Sequence, residues 1–339
     1  MNVSPTPFRN RPALSIRSAI VSILFVWFLG AAAHAQFTYY LDIPYGTKLP
    51  TDPLYDEQTF DILYPSGSSP AFPGSEYQPR PYLIQLHGGN ENTPYAGLEK
   101  VSPITLEALN RGFIVIIPNY HVINFEISES WVNASKDIAR CIQFSRYFAE
   151  VLNLDPQKLF LQGHSSGGFQ TYYMGLNIDY QNLASRDPIE KLSSRPNYIL
   201  PWGAPSQFNC LDVNYPGFFP SWASQYFFGV PSFALVPPAL LVSSSPKTWL
   251  MNPADYGRTY TPPMCLTYNL DLAHPCGTIN DTHDGEFGNI MKEAIDRFCE
   301  FFPGEAVCGP SILINNNGSD LPGVIVQIVD WMEQMALLP

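Results

Sequence analysis

Ser165 sits at the centre of Gly163-His164-Ser165-Ser166-Gly167, a G-x-S-x-G pattern that follows the apolar run Leu159-Phe160-Leu161 and precedes a small-residue helix start. Glycines at those positions allow a tight, strained strand-to-helix turn that lifts the serine hydroxyl above a sheet. The same turn puts the hydroxyl at a helix N-terminus, whose positive dipole end favours a developing anion. The chemistry implied is nucleophilic acyl transfer. The plainer reading is a glycine-rich loop with an incidental serine. A second pattern argues against it: Tyr82-Leu83-Ile84-Gln85-Leu86 stops at His87-Gly88-Gly89. A tetrahedral oxyanion needs two or three preorganised backbone N–H donors, and glycine lets backbone approach a substrate closely. Gly88, Gly89 and Ser166 are the expected donors. His87 reads as a loop organiser bonded to backbone, not as a base.

Positioning these groups requires strands that end on one rim. Phe113 to Ile117 is a continuous apolar run and reads as a strand buried on both faces. Phe60 to Tyr64, Tyr82 to Leu86 and Leu159 to Leu161 read as further strands. Ile104 to Asn110, Trp131 to Leu152 and Glu286 to Phe301 carry helical patterns. Alternating strands and helices imply an α/β fold with a mainly parallel, doubly wound sheet and helices on both faces. Ligands sit at the carboxyl ends of such strands, so the loops after Leu86 and Leu161 share a rim. Asn197 to Pro201 and Pro263 to Tyr268 are two more expected strands. Between them, Tyr215 to Pro253 carries nine aromatics and a single lysine. Residues 214–253 therefore read either as a lid shaping an apolar acyl or aryl pocket or as core. No internal repeat divides the chain, and residues 36–339 read as one domain.

Three segments carry a family resemblance. They are Leu86-His87-Gly88-Gly89, the run Gly112 to Tyr120, and the stretch from Asp137-Ile138-Ala139-Arg140 through Leu154-Asp155-Pro156-Gln157-Lys158 to Gly163-His164-Ser165-Ser166-Gly167-Gly168. The chain resembles secreted α/β-hydrolase-fold serine carboxylesterases related to the hormone-sensitive lipases, well over residues 55–175 and loosely elsewhere. The resemblance implies ester hydrolysis by a Ser-His-acid triad in the chain order serine, acid, histidine, with no cofactor. His121 precedes Ser165 and breaks that order, and His164 is the elbow residue expected to point away from the site. His283 is the favoured base and His274 the alternative. Asp271, after the strand Pro263–Tyr268, holds the family's usual place for the acid. Asp212, Asp281, Asp284 and Asp320 compete with it. One departure stands out: relatives carry histidine after the last strand, whereas Ile312-Leu313-Ile314 is followed by Asn315 to Asp320 without one.

Composition bounds the alternatives. The 339 residues are 45% hydrophobic and 14% charged, which excludes a disordered chain. Arg9, Arg11 and Arg17 precede an apolar run, Ala19 to Leu29, and Ala33-His34-Ala35 fits a cleavage site. Residues 1–35 thus read as a signal peptide, with cleavage near Ala35 and export of the remainder to the secreted or periplasmic space. Beyond it, 15 basic residues face 30 acidic ones, a formal charge of −15. That sign opposes nucleic acid and anionic lipid as partners, and no later stretch is long enough to span a membrane. An ester on a small molecule or polymer is the expected partner. Six cysteines in an exported chain point to disulfides, with Cys299/Cys308 and Cys265/Cys276 the close neighbours. His274, Cys276, His283 and the flanking aspartates match no common zinc spacing, so no metal is expected. Three rival readings remain, one of them a polyester or lipid hydrolase that varies only the ester. A serine peptidase would use the same residues on amides. A catalytically inactive binding protein would account for the missing late histidine.

Overall fold

Short runs of Ile, Val, Leu and aromatic residues set the strands, and the computed structural model describes residues 37–46, 58–70, 77–88, 102–120, 130–208, 228, 230, 233–274, 279, 283–316 and 320–338. Among these, one sheet contains β1 (Phe37–Pro44), β2 (Thr59–Pro65), β3 (Arg80–Leu86), β4 (Ile114–Pro118), β5 (Leu154–His164), β6 (Tyr198–Trp202), β7 (Cys265–Tyr268) and β8 (Ile312–Asn315). The order is β1-β2-β4-β3-β5-β6-β7-β8. β1 and β2 pair antiparallel, β2 joins β4 antiparallel, and β3 to β8 run parallel. This is the α/β-hydrolase arrangement. The signal-peptide segment, Gly89, His121, Asp212, Cys276 and Asp281 lie outside the described residues.

Alternation along each strand divides the core into two layers. Tyr82, Ile84 and Leu86 of β3 face one layer with Ile114 and Ile116 of β4 and Leu159 and Leu161 of β5. Leu83, Val115, Ile117 and Phe160 face the other. On the first side pack α2 (Ser130–Tyr147), α3 (Ser166–Leu176) and α6 (Glu286–Phe301). On the second pack α1 (Pro103–Asn110) and α7 (Leu321–Leu337). The stripe Phe287, Ile290, Met291, Ala294, Ile295, Phe298 makes α6 one-sided. Phe160 holds α7 to the sheet: it stacks on Tyr198 at 4.4 Å and meets Trp331 edge-on at 6.3 Å. Such pairs contribute about 0.5–1.5 kcal/mol each beyond their buried area.

Several expectations shift. The helix expected to reach Leu152 stops at Tyr147, because residues 148–153 turn back through Asn153 at φ 54°. The strand expected at 159–161 spans Leu154–His164. The long helix α7 was not anticipated, although Asp320 caps it by accepting from Gly323 N at 3.0 Å and Pro322 stands in its first turn. Cys299 and Cys308 form a disulfide. Cys265 does not pair with Cys276: it is a free thiol buried in β7. The described part of the aromatic-rich segment contains α4 (Pro238–Ser243) and α5 (Pro246–Met251). There Trp249 is buried against Phe169 and Tyr173 at 5.6 and 5.4 Å, as a core residue rather than a pocket wall. No helix among the described residues is long and apolar enough to cross a membrane.

Candidate active site

Ser165 stands between β5 and α3, at the N-cap of α3, with φ 56° and ψ −118°, a strained conformation for a residue with a side chain. The surrounding glycines make the turn possible by close approach. A Cβ on Gly163 would lie 2.3 Å from the Gly167 carbonyl oxygen, and one on Gly167 2.3 Å from His87 O. The elbow is tied to the neighbouring strand by Ser165 N donating to Trp202 O at 2.9 Å.

His283 reaches Ser165. Its Nε2 lies 2.8 Å from Ser165 Oγ, so with that nitrogen unprotonated the hydroxyl donates to it. The loop that carries it is anchored at both ends of a short span. Asn269, after β7, forms a parallel bridge with Asp284, and Gly285 packs so tightly that a Cβ would lie 2.2 Å from Asn269 O. Asp284 is buried and accepts from His274 N at 3.0 Å and Glu286 N at 2.9 Å. Its other oxygen lies 2.5 Å from His274 Nδ1. The alternative base, His274, is therefore an exposed ring held by Asp284.

The aspartate expected as the acid is not brought to the base. Asp271 is exposed in the turn Leu270–Leu272, and its carboxylate accepts from Asn315 Nδ2 at 3.2 Å. The turn directs it toward the end of β8. Asp284 and Asp320 are likewise committed, one to His274 and the start of α6, the other to the cap of α7.

His87 and Gly88 flank the elbow on its other side. A Cβ on Gly88 would sit 2.6 Å from His164 O and 3.4 Å from Ser165 Cβ, so this backbone lies against the nucleophile. His87 is buried, stacks on Tyr120 at 4.0 Å, and its carbonyl accepts from the Tyr120 hydroxyl at 2.5 Å. Ser166 opens α3 beside Ser165, buried.

His164 corrects its expected orientation. Its ring lies parallel to that of His283, at 5.3 Å and 3°, with Trp202 edge-on at 6.2 Å. Both imidazoles pass over Gly203, where a Cβ would come within 3.6 Å of each. Desolvation and, second, the His283 imidazole push the His164 pKa down to about 4. The Gly203 turn is held by its N–H donating to Thr267 O at 2.9 Å, and the next residue by the Tyr268 hydroxyl donating to Ala204 O at 2.5 Å. Burial pushes the Cys141 and Cys265 thiols up, which removes both as rival nucleophiles.

A cavity of about 660 Å³ opens beside Ser165. Its walls include Gln85 and Gln162 from the sheet, Ser102 to Ile104 from the start of α1, Leu321 and Ile325 from α7, and Asn316 after β8. Sequence reasoning named none of these wall residues beyond the rim loops, and offered the aromatic segment as either pocket wall or core. The polar residues Gln85 and Gln162, interrupting otherwise apolar strands, were the available signal.

Fold and nucleophile elbow together define an α/β hydrolase. Comparison with known proteins narrows this. The BD-FAE family matches residues 71–267, more than half of the chain, and the protein belongs to that family of α/β-hydrolase esterases. It is a carboxylic-ester hydrolase. A truncated carbohydrate esterase from gut microbiota superposes with a TM-score of 0.66 at 16% identity, covering 91% of this chain and 100% of that one. The acetyl ester-xyloside bifunctional hydrolase of Caldicellulosiruptor lactoaceticus superposes with a TM-score of 0.60 at 17% identity, covering 88% and 97%. Thermogutta terrifontis esterase 2 phosphonylated by sarin follows at 0.50 and 14%, covering 86% and 98%. At these identities the likeness establishes the shared fold. No curated protein matches the chain.

Proposed function

We propose that the protein is an exported serine esterase that cleaves carboxylic esters through an acyl-enzyme on Ser165. The observation that carries this reading is the 2.8 Å approach of His283 Nε2 to Ser165 Oγ on a strained elbow. Ser165 Oγ attacks the ester carbonyl carbon while His283 Nε2 takes its proton. The oxyanion forms against the backbone N–H groups of Gly88, Gly89 and Ser166. Collapse expels the alkoxide, which receives the proton from His283. Water, activated by the same imidazole, then releases the acid and restores the serine. Asp271 is not given the acid role, since its carboxylate is taken up by Asn315. The base arriving from the loop after β7 answers the missing late histidine, which was the ground for an inactive scaffold.

Export rests on the N-terminal arginines, apolar run and Ala33-His34-Ala35. The carbohydrate esterase and the acetyl ester-xyloside hydrolase direct the first choice of substrates to acetylated sugars.

The test is covalent labelling with a fluorophosphonate beside Ser165→Ala and His283→Ala, followed by ester turnover. Labelling of the parent that vanishes in both variants supports the mechanism. Removal of a triad member should cost ~10⁴-fold or more in turnover. A folded parent that takes no label would overturn the serine mechanism.

A further inference from the structure

Gln162 lies on β5 three residues before Ser165 and shares a sheet face with Phe160 and His164. It stands opposite Gln85 of β3 in the parallel register, so the two amides lie side by side at the floor of the 660 Å³ cavity. They differ in one respect. Gln85 is committed: its Nε2 donates to Ser102 Oγ at 2.6 Å, and its Oε1 accepts from the Thr105 hydroxyl. Gln162 is only 3% exposed, and its Oε1 has no hydrogen-bond partner.

A buried, unpaired amide oxygen is destabilising, and a leucine of similar volume would fill the same space without that cost. Native proteins hold such groups where something else completes them. Gln162 lines the cavity, which is where such a group would come from once a substrate is bound. Three strand residues set Gln162 and Ser165 about 10 Å apart along the chain, a few bonds beyond an ester carbonyl held on the nucleophile. The apolar walls, Ile104, Leu321 and Ile325, hold a carbon skeleton while the amide reads one polar substituent on it.

We infer that Gln162 is a specificity-determining residue, hydrogen-bonding a hydroxyl or amide carried by the part of the ester that enters the cavity beside Ser165. The inference rests on the serine-esterase reading. A site built to make such a bond rejects the analogue that lacks it, because its own buried group is then left unpaired.

The test compares matched esters. On the acid side, p-nitrophenyl 6-hydroxyhexanoate is set against p-nitrophenyl heptanoate. On the alcohol side, 4-hydroxybutyl acetate is set against pentyl acetate. The ratio of kcat/KM for hydroxylated over plain ester is measured in the parent, Gln162→Leu and Gln162→Met. For at least one pair the parent's ratio should exceed that of both variants by about tenfold. Urea unfolding of Gln162→Leu should give a midpoint no lower than the parent's, since no hydrogen bond of the free protein is removed. Ratios that agree within twofold in both pairs would overturn the inference and assign the amide to ordered water. A lowered midpoint in both variants with unchanged ratios would overturn it in favour of a structural glutamine. Fluorophosphonate labelling of the same samples keeps the outcomes apart: a parent that takes no label fails the mechanism, whatever Gln162 does.

Discussion

An alanine at position 88 would put its methyl carbon 2.6 Å from the His164 carbonyl oxygen and 3.4 Å from Ser165 Cβ. The first contact is with backbone in the middle of the nucleophile elbow, which cannot swing aside as a side chain would. Ordinary contact begins at 3.4 Å, so the two segments must separate by about 0.8 Å. An N–H donor set at about 2.9 Å from an oxyanion would then lie near 3.7 Å, outside hydrogen-bond range. Losing one oxyanion donor typically costs about 2.7–4 kcal/mol of transition-state stabilisation. Gly88→Ala should therefore lower kcat by about 10²–10³ while leaving KM within a few-fold, because the donor acts on charge that develops only in the transition state. The assay is steady-state hydrolysis of p-nitrophenyl acetate, normalised to active sites counted by fluorophosphonate. A labelled, folded Gly88→Ala protein with kcat within threefold of the parent would refute the oxyanion role of this loop.

Three further outcomes are expected. His164 has a folded pKa of about 4, below the ordinary histidine value of about 6.5, so the unfolded chain binds protons more readily between those values. Its contribution to stability is therefore present above pH 6.5 and lost as pH falls toward 4. His164→Phe should lose less of its urea midpoint than the parent between pH 7 and 4.5, and equal losses would contradict the assignment. Asp271→Asn should keep kcat within about tenfold of the parent, whereas removal of a triad acid costs about 10⁴-fold. A fall of 10³ or more would restore Asp271 as the acid. The Cys299–Cys308 bridge closes a loop of sequence separation 9, so Cys299→Ser with Cys308→Ser should cost ~3 kcal/mol by denaturant unfolding. An unchanged midpoint would mean the loop is equally ordered without it.

The parts of the site legible from sequence are those in which local backbone geometry and chemistry coincide. Gly163, Gly167 and Ser165 lie within five residues and encode one strained turn, and β5 and α3 flank it as their patterns implied. His87-Gly88 follows β3 directly, so parallel pairing of β3 with β5 delivers both loops to the same rim. The helix Glu286–Phe301 was readable to the residue because its apolar stripe is strictly periodic. α7 carries comparable signals at Asp320, Pro322 and its apolar face, but several exposed apolar residues, Leu321, Val326 and Leu337, blur its periodicity.

The sequence by itself determined the turn that carries Ser165, the glycine loop opposite it and the alternating strands and helices that bring them together. Each is written in residues a few positions apart, where steric limits on φ and ψ and the periods of strand and helix act directly. Only the tertiary structure decided that Asp271 faces Asn315, that His274 serves Asp284, that His164 lies flat against His283, and that Gln162 floors the cavity. Those relations join segments up to 119 positions apart, as His164 and His283 are. Sequence spacing carries no distance once the chain has turned through a sheet, and packing of loops against strand ends sets which side chains meet.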